Sequence, residues 1–338
     1  MIDILIITKE RPLYLKRAIE YWKNSSFNII IADGSKNPFK GNLPSFFDYH
    51  HIPDTTMLYR TVYLANKVKS KYAAYCADDD FHSFDGLKGI CEFLDKNETY
   101  SCAQGINLRV GQKEDPQSLV FGTAYKSGIA FDSKKIAGDK KNLLIEMLKF
   151  KFLFTYAVMR RSMLKNYTEF FDGIDLKKSI TGNVSIQLFE DLMFYALFLS
   201  GHYITLPLFY TLRQNQIQNY RSINTSKLYL NDFFAEWVKR NDKEWQLVKN
   251  NINRLINNKY SFTFNFNEEY VLAKCLNQKI KKNNNKIRNY GYLRLKLNHL
   301  KINLFILLKL NFNIKNYISF RRVLKLMSKI IKKNNVEK

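Results

Sequence analysis

Three consecutive carboxylates, Asp78, Asp79 and Asp80, end the apolar run Tyr72-Ala-Ala-Tyr-Cys-Ala77. Like charges repel, and a carboxylate drawn into a protein without a partner is costly. A cation therefore belongs beside them. Mg²⁺ and Mn²⁺ prefer carboxylate oxygen and usually complete their shells with substrate phosphates. The plain alternative is a solvated acidic turn. The run closes a buried-looking strand, where open α/β sheets place their ligands, and this favours a metal–phosphate site. In an extended segment Asp78 and Asp80 face the same way, about 6.6 Å apart. That spacing suits one carboxylate on a ribose hydroxyl and one on a metal holding a diphosphate, with Asp79 pointing away. Asp33, after another apolar run, belongs on the same edge as a nucleobase or ribose partner, or else as an Asp-Gly turn residue.

The elements that position these acids alternate along the first hundred residues. Ile2 to Ile7, Phe27 to Ala32 and Tyr72 to Ala77 read as strands. Pro12 fits a helix first turn, followed by Leu15, Ala18, Ile19 and Trp22 at helical spacing. Thr56 to Val68 and Phe84 to Leu94 read as amphipathic helices. This β-α-β-α rhythm predicts an α/β fold with a mostly parallel, Rossmann-like central sheet and helices on both faces. Further on, Gly105 to Gly128 reads as loops around a pocket, Phe152 to Met159 as a strand, and Met163 onward as a short helix. Val184 to Leu199 is the strongest central helix, and Thr225 to Asn257 is helical. The expected division is residues 1–215 as the α/β domain and 216–338 as a helical, strongly basic C-terminal region.

The chain has 338 residues and a formal net charge of +24. From Val271 to Lys338 there are 18 Lys/Arg against one acid, Glu337, so this quarter carries +17 and the first 270 residues only +7. Any partner drawn by charge belongs to the tail. There, Phe320, Val323, Leu324, Met327, Ile330 and Ile331 share a helical face, and Lys and Arg fill the rest. Such helices suit an anionic membrane surface, or pack their apolar side on the protein. The four cysteines have no CxxC pairing, so a reducing compartment is expected. The opening Met-Ile-Asp-Ile-Leu lacks the marks of a signal peptide. Leu192 to Leu212 has no charged residue, but Gly201-His202 and Pro207 interrupt it; a buried helix, a turn and a short strand are expected rather than a membrane span.

With these residues in view, the chain resembles the family 2-type glycosyltransferases of the GT-A fold. Ile4-Leu-Ile-Ile-Thr8-Lys-Glu-Arg11-Pro12-Leu-Tyr-Leu15 looks like that family's first strand and helix start. Ile29-Ile-Ile-Ala-Asp33-Gly34-Ser35 is similar to its second strand, and Tyr75-Cys-Ala-Asp78-Asp79-Asp80-Phe81 resembles its DxD motif, in a variant similar to a bacterial branch of surface polysaccharide assembly. The resemblance covers about residues 2–95 and, more faintly, Phe189-Glu190-Asp191. It implies a nucleotide-diphosphate sugar donor, a glycan or lipid-linked acceptor, and inversion at the anomeric carbon. It places Thr8, Arg11, Asp33, Asp78 and Asp79 on the nucleotide, Asp80 with Asp78 on Mn²⁺ or Mg²⁺, and Asp191 ahead of Glu190 as catalytic base. Arg213 would contact diphosphate or acceptor. A cytoplasmic enzyme, peripheral on the inner face of the plasma membrane through its basic helices, is expected.

Two other classes compete. A nucleic-acid-binding protein would use the basic C-terminal region, but no recognisable motif accompanies the charge, so no nucleic acid is expected. A sugar nucleotidyltransferase would open with a Gly-rich loop after the first strand, and Thr8-Lys-Glu-Arg11 is not one. No Gly-x-Gly-x-x-Gly, Walker loop or His-Glu-x-x-His helix is present.

Overall fold

The structure, a computed structural model, describes residues 1–112, 119–121, 132–136, 138–140, 143, 154–179, 184–215, 243–260, 264, 322–323 and 326. Among them lie nine strands, β1 (Ile2–Thr8), β2 (Asn28–Asp33), β3 (Phe47–His51), β4 (Tyr72–Ala77), β5 (Asp80–His82), β6 (Tyr100–Gln112), β7 (Leu119–Phe121), β8 (Val158–Arg160) and β9 (His202–Asn215). The helices are α1 (Pro12–Trp22), α2 (Met57–Lys67), α3 (Phe84–Lys96), α4 (Arg161–Glu169), α5 (Leu176–Ser179), α6 (Val184–Ser200) and α7 (Lys243–Lys259).

The strands form one sheet in the order β3-β2-β1-β4-β8-β6-β9-β5, with β7 on β6. The long ladders are parallel: β1 with β2 and β4, β2 with β3, and β6 with β9. The short strands β5, β7 and β8 pair antiparallel. The expected α/β class and predominantly parallel sheet are therefore present. Each face of the sheet carries a separate core. One is built with α1 and α3, around Trp22, Ile4, Ile31, Phe81 and Leu87. The other lies beneath α2, α4, α6 and α7, around Leu58, Tyr75, Tyr167, Leu192 and Trp245. The helix ends follow local chemistry, with Thr56 and Ser83 accepting from the Tyr59 and Gly86 amides as N-caps.

Several expectations shift. Gly105 lies inside β6, not in a loop. A Cβ there would run into the Leu208 carbonyl and the Tyr210 side chain of β9, so the glycine permits two irregular strands to approach. The strand expected from Phe152 becomes a 3-10 turn, Phe154–Tyr156, followed by the shorter β8. β3 was not anticipated, because this outer strand is short and mostly half-exposed. The Leu192 to Leu212 run is the end of α6, a turn at Gly201 and most of a long β9. No helix among the described residues is long and apolar enough to cross a membrane. The expected helix from Thr225 is described only as α7, and the linker at residues 281–286 lies outside the described residues.

Asp3 ties this framework together at the opposite edge from the acids. It is 1% exposed. Its carboxylate accepts from the Lys69 and Ser70 amides, the Ser70 hydroxyl and Asn28 Nδ2. Burial alone would raise its pKa, but the bonds from Ser70, Asn28 and Lys69 hold it below the ordinary value. A depressed carboxylate stabilises the fold above its unfolded pKa, and that contribution is lost as pH falls through the folded value. Asp3→Asn, which turns an NH₂ toward backbone donors, is expected to cost about 1–3 kcal/mol. Urea unfolding at pH 7 and at pH 3 checks this: the gap between wild type and variant should shrink in acid.

Candidate functional site

Parallel pairing places the ends of β1, β2 and β4 at one level. Thr8 pairs in register with Asp33, and Ile7 with Ala77, one residue before the acidic triplet. A sequence that ends three buried strands in Thr8, Asp33 and Asp78 thus gathers them along one edge.

The triplet is not extended. Residues 78 and 79 form a turn, and Asp80 opens β5. The expected same-facing pair is therefore separated by a reversal of the chain, and the acids go to different cations. Thr8 Oγ1 donates to Asp78 Oδ2 at 2.8 Å, and Arg11 Nη1 donates to Asp78 Oδ1 at 2.6 Å. The same guanidinium reaches Asp79 Oδ2 at 3.2 Å, so Asp79 joins the charge network instead of pointing away from it. Arg213 Nε donates to Asp80 Oδ2 at 2.9 Å, across the antiparallel pair in which Asp80 faces Arg213. Asp78 and Asp80 are 1% and 2% exposed. Burial pushes the Asp78 carboxyl up to about 7, with Asp79 and Asp80 adding to it, against the downward pull of Arg11 and Thr8. Arg11 and Arg213 lose hydration on burial, but the aspartates hold both above the ordinary arginine value.

Arg11 sits at the N-cap of α1 and makes no side-chain cap, since a guanidinium has no acceptor for the helix amides; it binds the acids instead and stacks over Tyr14 at 4.1 Å. Glu10, just before it, has φ +53, a left-handed conformation that costs a non-glycine residue about 1 kcal/mol. Two bonds to the next loop hold it there: its amide donates to Ser35 Oγ at 2.7 Å, and its Oε1 accepts from the Lys36 amide at 2.6 Å. Asp33 accepts from the Ser35 amide at 2.8 Å and from the Tyr49 hydroxyl at 2.7 Å. Tyr49 is pushed up to about 12, first by burial and also by Asp33 beside it. The buried Arg60 side chain fills the space a Cβ on Gly34 would need, which accounts for the glycine after Asp33.

Glu190 is half-buried on α6, and its charge reaches Tyr156, which also feels Asp80 and Asp79. Asp191 follows on the same helix; its side chain lies outside the described residues. The structure thus brings Thr8, Arg11, Asp78, Asp79, Asp80 and Arg213 into one network and keeps Asp33 level with it. Tyr49, Ser35, Arg60 and Tyr156 were missed by sequence reasoning. The aromatic-rich segment that forms β3 beside Asp33 is the sequence signal for Tyr49. His82 belongs to the core. Its Nε2 donates to the Tyr75 carbonyl at 2.9 Å, while Nδ1 accepts from the Thr211 hydroxyl at 2.7 Å. Its ring stacks on Tyr210, and burial lowers its pKa to about 4.

Among the described residues no group of three or more His, Cys, Asp or Glu is arranged to hold a metal ion. The oxygen donors are nevertheless of the kind that suits Mg²⁺ or Mn²⁺, which commonly take one or two carboxylates and fill the shell with phosphates and water. Asp80 fits that part. Both oxygens of Asp78 already accept hydrogen bonds, which suits it better to a positioning or ribose-binding role.

No family model matches the chain, and no curated protein matches it. Among solved structures, S. aureus TarS aligns over 78% of this chain and 44% of its own, at 12% identity and a TM-score of 0.40. The 1–349 portion of S. aureus TarS aligns over 78% of this chain and 72% of its own, at 12% identity and a TM-score of 0.44. The same portion in complex with UDP-GlcNAc aligns over 78% and 74%, at 13% identity and a TM-score of 0.41. The chain therefore spans less than half of the longer TarS structure. Likeness at these TM-scores carries no functional assignment across.

Arg11→Met removes the cation shared by Asp78 and Asp79 and leaves a buried carboxylate without its charge partner, a loss of about 2–4 kcal/mol. Denaturant unfolding of the variant beside wild type checks this. An unchanged midpoint would mean the pair carries no weight in the fold.

Proposed function

We propose that the chain is a glycosyltransferase of the GT-A type. It moves a sugar from a nucleotide-diphosphate donor to a hydroxyl of a glycan or lipid-linked acceptor, in bacterial surface polysaccharide synthesis. One observation carries the reading: the ends of β1, β2 and β4 hold Thr8, Asp33 and Asp78 level, with Arg11 and Arg213 bound to the acids beside them. A nucleoside needs hydrogen-bond acceptors for its base and ribose, and a diphosphate needs cations. Both kinds of group meet on this edge, where parallel sheets bind ligands.

On this reading Asp33 and Asp78 receive the nucleoside. Each carboxylate oxygen has two lone pairs, so Asp78 can still accept from a ribose hydroxyl. Mg²⁺ or Mn²⁺ held by Asp80, with Asp78 behind it, would supply positive charge against the diphosphate. Arg213 meets the same diphosphate. The acceptor oxygen bonds to the anomeric carbon as the bond to the diphosphate oxygen breaks, and that electron pair leaves with the nucleotide. The acceptor proton passes to Asp191, or to Glu190 in its place. Attack from the face opposite the leaving group inverts the anomeric carbon. Residues 1–215 would perform this chemistry and 216–338 would locate it.

Thermal shift with UDP-, GDP- and CMP-sugars, with and without Mn²⁺, tests the donor reading together with Asp191→Asn. A metal-dependent shift with one nucleotide class is expected. The variant should keep donor binding within about threefold while transfer falls at least about 100-fold. Absence of any shift, or normal turnover by the variant, defeats the corresponding half of the reading.

The basic tail is proposed to meet an anionic membrane on the cytoplasmic side. Where it is described, Val323 is buried in the core formed with α1 and α3, Leu326 packs against that core, and exposed Arg322 lies 3.8 Å from Asp85. Apolar residues spent on the protein leave basic ones for a surface. Sedimentation with anionic liposomes should fall at least about tenfold on truncation after Gln278, because each basic residue near such a surface contributes about 1 kcal/mol. Equal sedimentation removes the tail from this role.

A further inference from the structure

Tyr156 occupies a position that the roles above leave without a task. It ends the 3-10 turn Phe154–Tyr156 that precedes β8. β8 runs antiparallel to β4 with Ala74 opposite Val158. The residues just before β8 therefore lie toward the end of β4, where the acids stand. The Tyr156 backbone is fixed there, its carbonyl accepting from the buried Tyr210 hydroxyl at 2.5 Å. Its ring lies 4.6 Å beneath the Arg213 guanidinium, and that guanidinium is bonded to Asp80. The side chain is half-buried, and no described residue hydrogen-bonds its phenol oxygen. The hydroxyl is thus carried on a ring held against Arg213, within reach of the charges of Asp80, Asp79 and Glu190.

We propose that Tyr156 is a further catalytic residue, whose phenol O–H donates a hydrogen bond to the diphosphate of the bound nucleotide and to the same group as it departs. This rests on the nucleotide-sugar reading and names a donor that neither the motifs nor the resemblance supplies. The chemistry follows from the surroundings. Burial first, then the charges of Asp80, Asp79 and Glu190, push the Tyr156 hydroxyl well above its ordinary pKa, and Arg213 only partly opposes them. The group therefore keeps its proton at neutral pH and offers it without adding charge. The anomeric bond to the diphosphate oxygen breaks and its electron pair stays on that oxygen. The phenol proton is shared with the diphosphate but not transferred. Donors fixed in advance beside a developing anion are worth roughly 10²–10³ in rate each. Arg213 and Tyr156 would act as a pair, the ring keeping the guanidinium in place and the hydroxyl adding a second donor.

Tyr156→Phe isolates the hydroxyl, since the ring under Arg213 and the backbone bond from Tyr210 both remain. Calorimetric binding of UDP, GDP and CDP, each beside its monophosphate, is measured for wild type and variant with Mn²⁺ present. The diphosphate that binds wild type should bind Tyr156→Phe roughly tenfold more weakly, the matching monophosphate should bind both equally, and the unfolding midpoint should not move. In turnover with the corresponding nucleotide sugar, kcat should fall by roughly 10–100-fold with KM for the donor changed less than about threefold. Equal diphosphate affinity for both proteins overturns the role of Tyr156 and leaves the glycosyltransferase reading standing. A wild-type protein that binds none of the nucleotides overturns that reading, and this proposal with it. Tyr156→Ala adds a control: loss of affinity in Ala but not in Phe assigns the residue to propping Arg213 alone, which also overturns the proposal.

Discussion

The end of β4 places three carboxylates at the edge of a buried sheet, and the surrounding structure is arranged to make that tolerable. Asp78 and Asp80 have almost no contact with solvent. Each would face a desolvation cost of several kcal/mol if left alone. Two guanidiniums from distant parts of the chain answer it. Arg11 arrives because β1 lies beside β4 and only three residues separate the end of β1 from the start of α1. Arg213 arrives because β9 pairs with β5 in a register that sets it opposite Asp80. Loops, strand order and helix starts at this edge are therefore coupled through charge. Even the left-handed backbone of Glu10 fits: the chain between Thr8 and Arg11 must turn tightly for both side chains to reach one carboxylate.

The departures from a purely parallel sheet follow the same logic. A parallel sheet offers only the ends of its strands. Inserting β8 antiparallel between β4 and β6 brings residues that precede a strand to the edge that parallel strands reach at their ends, and Tyr156 comes with them. The short β5 lets the chain fold back immediately after the acids and meet β9. Packing on both faces holds these pieces. Tyr210, deep in one core, bonds to the Tyr156 backbone, while Ala157 and Met159 fill the other.

The first hundred residues were largely legible because each element there announces itself locally. Apolar strands six or seven residues long alternate with helices that carry Pro12, Thr56 or Ser83 at their starts. The acids were legible as a charge problem, but its solution was not, since no local pattern shows which arginine returns from β9 or that one guanidinium spans Asp78 and Asp79. Asp78 and Asp80 do not keep extended spacing, because charge repulsion and the pull of separate cations favour a turn at residues 78–79. β6 was hidden because its second half, with Gly105, Gly111 and Gln112, reads as loop chemistry, whereas close approach to β9 explains Gly105. Tyr156 carried no signal, being one aromatic among 21 tyrosines and 26 phenylalanines.

The paired acids and arginines also bear on how a diphosphate would enter. Before it arrives, Arg213 is held by Asp80 and Tyr156 together, so the guanidinium is already positioned and largely dehydrated. An incoming anion then need not bear the cost of ordering that side chain, which for an interface arginine is about 0.5–1.5 kcal/mol. It does compete with Asp80 for the same cation, and a divalent ion on Asp80 would relieve that competition by giving the carboxylate another partner. On the proposed reading, metal and diphosphate therefore favour each other's binding even without touching, because each releases a group the other needs. The Tyr156 ring lets this exchange occur without losing Arg213 to solvent, since the cation–π contact persists whichever anion the guanidinium faces.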